Sequence, residues 1–188
     1  LGSGHLTTEE AYLLRRIADW AGSPHRAVYR ESGEKRSIPN PSGGLRSSSS
    51  APNVRGAELA GLVPGKGAFS AQALLEGSAA AGLDVLLVAD GDLGAAAADP
   101  DVVARLRAAK NLIVAGWADG PLAQAADIVL PTATHAERSG SFLNVAGRLQ
   151  KFERAFPAPG QVRPALEVLG EILHPAGEEW PYESKPRT

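Results

Sequence analysis

Three short runs of uninterrupted apolar residues mark the second half of the chain. They are DVLLVAD (84–90), NLIVAGW (111–117) and DIVLP (127–131). Each is too short for a buried helix and is bounded by Asp, Gly or Pro, so each predicts a strand buried on both faces. Helical patterns lie between them. Ser70 caps a helix expected to run to about Ala81, Pro100 opens one to about Ala109, and Pro121 opens one to about Ala126. Proline fits the first turn of a helix because that turn's N–H has no intrahelical acceptor. Strands that alternate with helices predict an α/β fold, a parallel sheet with helices on both faces. The spacing also predicts that 85–89, 113–115 and 128–130 are adjacent parallel strands. A further helix is expected over 165–173.

Upstream the pattern differs. In 7–20 (TTEEAYLLRRIADW), Thr7 and Glu10 have the spacing of a capping box. Tyr12 or Leu13, then Leu14, Ile17, Ala18 and Trp20, make one apolar stripe, and Gly22 ends the helix. The stretch 22–53 is rich in Ser, Gly, Pro and charge, with strand-like residues only at 27–29. It reads as a flexible, linker-like segment, least ordered over 30–51. A short helix or turn follows at 55–62. The expected organisation is a capped helix (1–21), a linker-like segment (22–53), an α/β domain (54–173) and a polar, Pro-rich tail (174–188).

Composition narrows the functional classes. The 188 residues are 44% hydrophobic and 21% charged, which is enough to build a core. The net charge of −2 argues against a nucleic-acid binder. Cysteine is absent, so the chain can supply no disulfide, thiolate-held metal or Cys nucleophile. The four His residues (His5, His25, His135, His174) lie far apart, and no metal set is expected. No apolar run approaches the ~18 residues of a membrane span, so no direct membrane insertion is expected. Methionine is also absent and the chain opens on Leu1, which suggests a piece of a longer or processed protein.

Parallel sheets bind ligands beyond the carboxyl ends of their strands. Three such ends can be read here, at 89–92, 116–119 and 131–135. Asp90 and Asp92, beside Gly91, suit a turn better than a catalytic pair. PGKGAFS (64–70) lacks the spacing of a phosphate loop. Ser139, Ser141, His135 and Glu137 lie close in sequence, but a nucleophilic set must meet in space, and no catalytic residue is assigned.

The stretch 126–160 carries the most specific pattern. A strand ends at Pro131, a polar loop follows, and 141–149 reads as extended. This stretch resembles a segment of the molybdopterin oxidoreductase superfamily, whose members carry AD-(V/I)-V-L-P-x-x-(T/A)-x-x-E-x-x-G-(T/S)-(F/Y)-x-N-x-E-G-R-x-Q. The matching positions run from Ala126 to Pro131, then Thr134, Glu137, Gly140, Ser141, Phe142, Asn144, Gly147, Arg148 and Gln150. TTEEAYLLRRIA (7–18) and PNVRGAELAGLVPG (52–65) resemble two further segments of the superfamily, in the same order. Where the family has Glu before the Gly-Arg pair, this chain has Ala146.

The resemblance implies a Rossmann-like sheet within a larger molybdopterin-type domain. Two branches follow from it. One is the large iron–sulfur subunit of NADH-quinone oxidoreductase (respiratory complex I), favoured by the short stretch after 150 and by Ala146. It implies a scaffold role with no cofactor in this stretch, and iron–sulfur clusters elsewhere in the parent subunit. Its partners would be other peripheral-arm subunits, at the cytoplasmic side of the inner membrane. In it, Glu137 and Arg148 would be anchors, and Ser141 and Asn144 would satisfy backbone groups. The other branch is a molybdopterin-dependent enzyme such as a formate dehydrogenase or nitrate reductase. There Thr132, Glu137, Gly140, Ser141, Asn144 and Arg148 would lie near the pterin.

Overall fold

A computed structural model describes residues 1–30, 32–38, 45–49, 51–89 and 93–174, with only the backbone given for 32–38, 45–49 and 94–95. Strand β1 (Gly2–Ser3) leads directly into helix α1 (Thr8–Trp20), and the chain returns as β2 (Val28–Tyr29). The hairpin β3 (Ser32–Ile38) and β4 (Leu45–Ser49) is antiparallel. Helices α2 (Val54–Leu59) and α3 (Ala71–Glu76) follow, then β5 (Val85–Ala89). Next come α4 (Pro100–Arg107), β6 (Asn111–Gly116), α5 (Pro121–Ala125) and β7 (Ile128–Pro131). A second hairpin, β8 (Gly140–Leu143) and β9 (Leu149–Phe152), precedes α6 (Ala165–Leu173).

The main sheet has the order β2-β1-β5-β6-β7, and its strand pairs are parallel. The expected adjacent parallel trio is β5, β6 and β7. Side chains alternate across the sheet as the strand period requires. Leu86, Val88, Leu112 and Val114 pack on one face against α3, α4 and α5. Ala89, Val28 and Leu87 face the other cluster, with α1, α2 and α6. The fold is therefore α/β, with helices on both faces.

The helix ends follow sequence chemistry. The Thr7 hydroxyl accepts from the Glu10 N–H, and the Glu10 carboxylate accepts from the Thr7 N–H at 2.8 Å. Ser70 caps α3, and Asp99 caps α4 with Pro100 in its first turn. At the far end of α1, Gly22 takes a left-handed φ of 63°.

Five expectations are corrected. Helix 70–81 breaks at Gly77 and resumes as a 3-10 turn (Ala79–Gly82). The 22–53 stretch is not simply a linker: β2 joins the sheet, β3 and β4 pair, and Ala51 and Asn53 are buried. Residues 31, 39–44 and 50 of that stretch, and 175–188 of the expected tail, lie outside the described residues. Strand β7 is not buried on both faces. It is the last strand of the sheet, with Ile128 50% and Val129 45% exposed. Trp20, placed on the apolar stripe of α1, is 56% exposed, in the exposed last residues of the helix. Finally, 141–149 is not one extended segment but a strand and a turn, paired back on β9.

Candidate functional site

Strand order reverses at β1. The chain leaves β1 for β2 on one side and later comes back to β5 on the other, and parallel sheets place ligands at such a reversal. Of the three strand ends read from sequence, 90–92 lies outside the described residues. Trp117, just past β6, is 45% exposed. The third end carries the loop from 132 to 148, which is held close to β1 and the start of α1.

The loop begins where Thr132 donates its N–H to the Gly116 carbonyl and bridges to Arg163. Thr132 is 2% exposed, and its Oγ1 has no hydrogen-bond partner among the described residues. Glu137 then turns the chain locally, its carboxylate accepting from the Thr134 N–H at 2.9 Å. Arg138 is 2% exposed. Its guanidinium pairs with Glu10 at 3.1 Å and donates to the His5 carbonyl at 3.0 Å. The capping carboxylate of α1 thus also receives a cation from the loop.

Gly140 has a steric reason. A Cβ there would lie 2.4 Å from Thr7 Cγ2, so only glycine lets β8 approach the N-cap this closely. Ser141 then gives both its N–H (3.0 Å) and its hydroxyl (2.6 Å) to the Glu9 carboxylate. Asn53 completes the junction. Its amide donates to the Leu6 carbonyl at 2.7 Å and accepts from the Leu143 N–H at 2.7 Å. Asn53 is fully buried, and these bonds replace the water its amide loses.

Beyond β8 the motif is a turn. The Asn144 side chain accepts from the Arg148 N–H at 2.9 Å, and Gly147 has a left-handed φ of 80°. Arg55 donates to the Val145 carbonyl at 3.0 Å. Ala146 and the Arg148 side chain are exposed on this turn. Arg148 is therefore not an anchor. That role falls to Arg138, whose partner is 128 residues away and so leaves no local signal in the sequence. The Asp127 of the motif is structural as well: it accepts from the Leu112 N–H at 2.7 Å and pairs with Arg107 at 2.8 Å.

The serines make no nucleophile. Ser139 donates to Glu153 and Ser141 to Glu9, and His135 is exposed. Among the described residues no group of three or more His, Asp or Glu could hold a metal ion. No helix among them is long and apolar enough to cross a membrane.

The profile of the molybdopterin oxidoreductase family matches residues 56–174, more than half of the chain. The chain belongs to the molybdopterin oxidoreductase family. Proteins similar to it carry different names. Over 61 residues it is 38% identical to the mitochondrial NADH-ubiquinone oxidoreductase 78 kDa subunit of Neurospora crassa, covering 32% of this chain and 8% of that protein. Over 62 residues it is 32% identical to the NADH-ubiquinone oxidoreductase 75 kDa subunit of Reclinomonas americana, 33% of this chain and 9% of that one. Over 64 residues it is 38% identical to the F420-dependent formate dehydrogenase 2 subunit alpha of Methanococcus maripaludis, 33% of this chain and 10% of that one. The matched stretches thus span a tenth or less of these relatives.

The family's name implies a pterin, and these side chains fit one poorly. A pterin with its phosphates calls for unspent donors that converge on open space. The polar groups of Glu137, Ser141 and Asn144 are engaged within the fold, Gly140 is backed against Thr7, and Thr132 Oγ1 is buried. Of the six candidates only Arg148 is exposed; Glu137, Gly140 and Asn144 are half-buried, and Thr132 and Ser141 are buried. The six do not by themselves form a pterin cradle.

Proposed function

We propose that this segment is the C-terminal part of the pterin-type domain of a large molybdopterin-family oxidoreductase of the formate dehydrogenase kind, and that its work there is structural. The observation that carries the reading is the clamp of the 132–148 loop on α1, through Arg138–Glu10, Ser141–Glu9 and Leu143–Asn53. A loop that spends its polar groups on its own scaffold braces a neighbouring site instead of performing chemistry. Formate dehydrogenases among the similar proteins support the enzyme branch. The redox centre and substrate pocket would then be built by other parts of the parent protein, with Arg148, exposed on its turn, available to meet an anionic group.

A second reading is favoured by a specific observation. Ala146 stands on the exposed turn where the family pattern has Glu, and NADH-ubiquinone oxidoreductase subunits are also among the similar proteins. On that reading the segment is a cofactor-free scaffold in the large peripheral-arm subunit of a respiratory complex. Iron–sulfur clusters elsewhere would carry the electrons, and other peripheral-arm subunits at the cytoplasmic side of the inner membrane would be its partners. Metal and pterin analysis of the purified parent protein separates the two. Stoichiometric molybdenum or tungsten with pterin is expected. Iron–sulfur clusters without pterin, together with NADH-dependent quinone reduction, would overturn the first reading in favour of the second.

A further inference from the structure

We propose that His25 and Phe69 form a pH-sensitive latch: the neutral imidazole holds the 64–69 loop against the 23–26 turn, and its protonation releases the loop from the wall of the cavity beside β2. The two rings stack, with centroids 4.4 Å apart and planes 11° apart. In the same contact the Phe69 N–H donates to His25 Nδ1 at 3.3 Å. A ring nitrogen accepts only while it carries no proton, so this bond selects the neutral ring with its proton on Nε2. Protonation makes Nδ1 a donor that faces a donor, and the Phe69 N–H then loses its acceptor. Histidine is the side chain that changes charge between about pH 5 and 8, so the change falls in a range a cell can reach.

The loop is built to move once released. Lys66 and Gly67 are exposed, and Gly67 has a left-handed φ of 75°. Among the described residues its other backbone bond to the 23–26 turn runs from the Gly65 N–H to the Pro24 carbonyl at 3.2 Å. Pro64 and Ser70, at the two ends of the loop, line a cavity of ≈ 480 Å³ together with Val28 and Leu75. The charges around His25 do not offer the protonated ring a partner. Asp19, from α1, already pairs with Arg15 and with Arg26, the next residue after His25. Lys66 puts a further positive charge on the loop itself. The Leu1 nitrogen, in the groove that His25 also lines, donates to the Leu87 carbonyl at 2.8 Å. This inference does not depend on whether the parent protein holds a pterin.

The test is hydrogen exchange at the Phe69 and Gly65 N–H groups of the full chain, read as protection relative to the unfolded chain at the same pH. Between about pH 8 and pH 5, across the titration of an imidazole, protection at both groups should fall by about tenfold or more. His25→Asn removes the titrating ring and leaves every other charge in place, so it should show no such fall. The Val114 N–H, inside the sheet on β6, should stay protected in both forms throughout. Protection at Phe69 and Gly65 that does not change with pH, or that falls equally in His25→Asn, would overturn the proposal. So would loss at Val114 in step with the loop, which would mean that the whole chain opens rather than the latch.

Discussion

Arg138 and Glu10, 128 residues apart in sequence, form an ion pair at 3.1 Å with both side chains at most 2% exposed. Glu10 already serves as the returning carboxylate of the α1 capping box, so one side chain ties the start of a helix to the loop that follows the edge strand β7. Truncating Arg138 leaves that carboxylate buried without its cation. Arg138→Met should cost about 3–5 kcal/mol. Glu10→Gln, which keeps a hydrogen-bonding shape but removes the anion, should also destabilise, since it leaves the guanidinium uncompensated. Urea unfolding of both variants and of the double variant measures the coupling. Single and double effects that simply add would mean the pair is not a unit.

The close approach of Gly140 to Thr7 gives a second expectation. Gly140→Ala forces its Cβ into the Thr7 methyl and should destabilise by about 1–3 kcal/mol. Thr7→Ser removes that methyl while keeping the capping hydroxyl. It should recover a good part of the loss when combined with Gly140→Ala. Thermal unfolding of the set reads this. Failure of the serine to rescue would move the strain elsewhere.

Arg148 should behave in the opposite way. Its side chain is exposed, so Arg148→Ala should change stability by no more than about 0.5 kcal/mol. In the parent protein its effect, if any, should fall on binding of an anionic group. Denaturant midpoints of the isolated segment, beside pterin and metal content of the parent, separate the two. A large loss of stability would restore Arg148 as an anchor.

Burial lowers the Leu1 ammonium from 8.0 to about 5 when the chain begins with a free amine. The unfolded chain then binds the proton more tightly than the folded one. Stability from this group is full above pH 8, falls as pH drops from about 8 toward about 5, and is level below that. The total loss is on the order of 4 kcal/mol. Acetylating Leu1 removes the titrating amine, so the acetylated chain should lose that slope while keeping the donor to Leu87. Unfolding midpoints from pH 5 to 9 for the two forms give the comparison, and parallel curves would contradict the expectation.

Much of the scaffold was legible because its signals are local. The Thr7–Glu10 box, the Ser70 cap, the prolines at 100 and 121 and the apolar runs of β5 and β6 act within a turn or a strand, and those elements stand where the pattern puts them. The parallel arrangement followed from alternation alone. Strand β1, only two residues long, carries no periodicity to detect, and its place in the sheet between β2 and β5 rests on its ladders to them. The exposure of β7 was equally hidden, since an apolar run reads the same at an edge as at a centre. The 126–150 motif falls on the loop that packs against the start of α1, but the contacts of its residues depend on partners at Thr7, Glu9, Glu10 and Asn53. Caps and strand runs are decided by neighbours a few residues away. Which arginine is buried, and which faces water, is decided by contacts between residues about a hundred positions apart, which only the folded chain brings together.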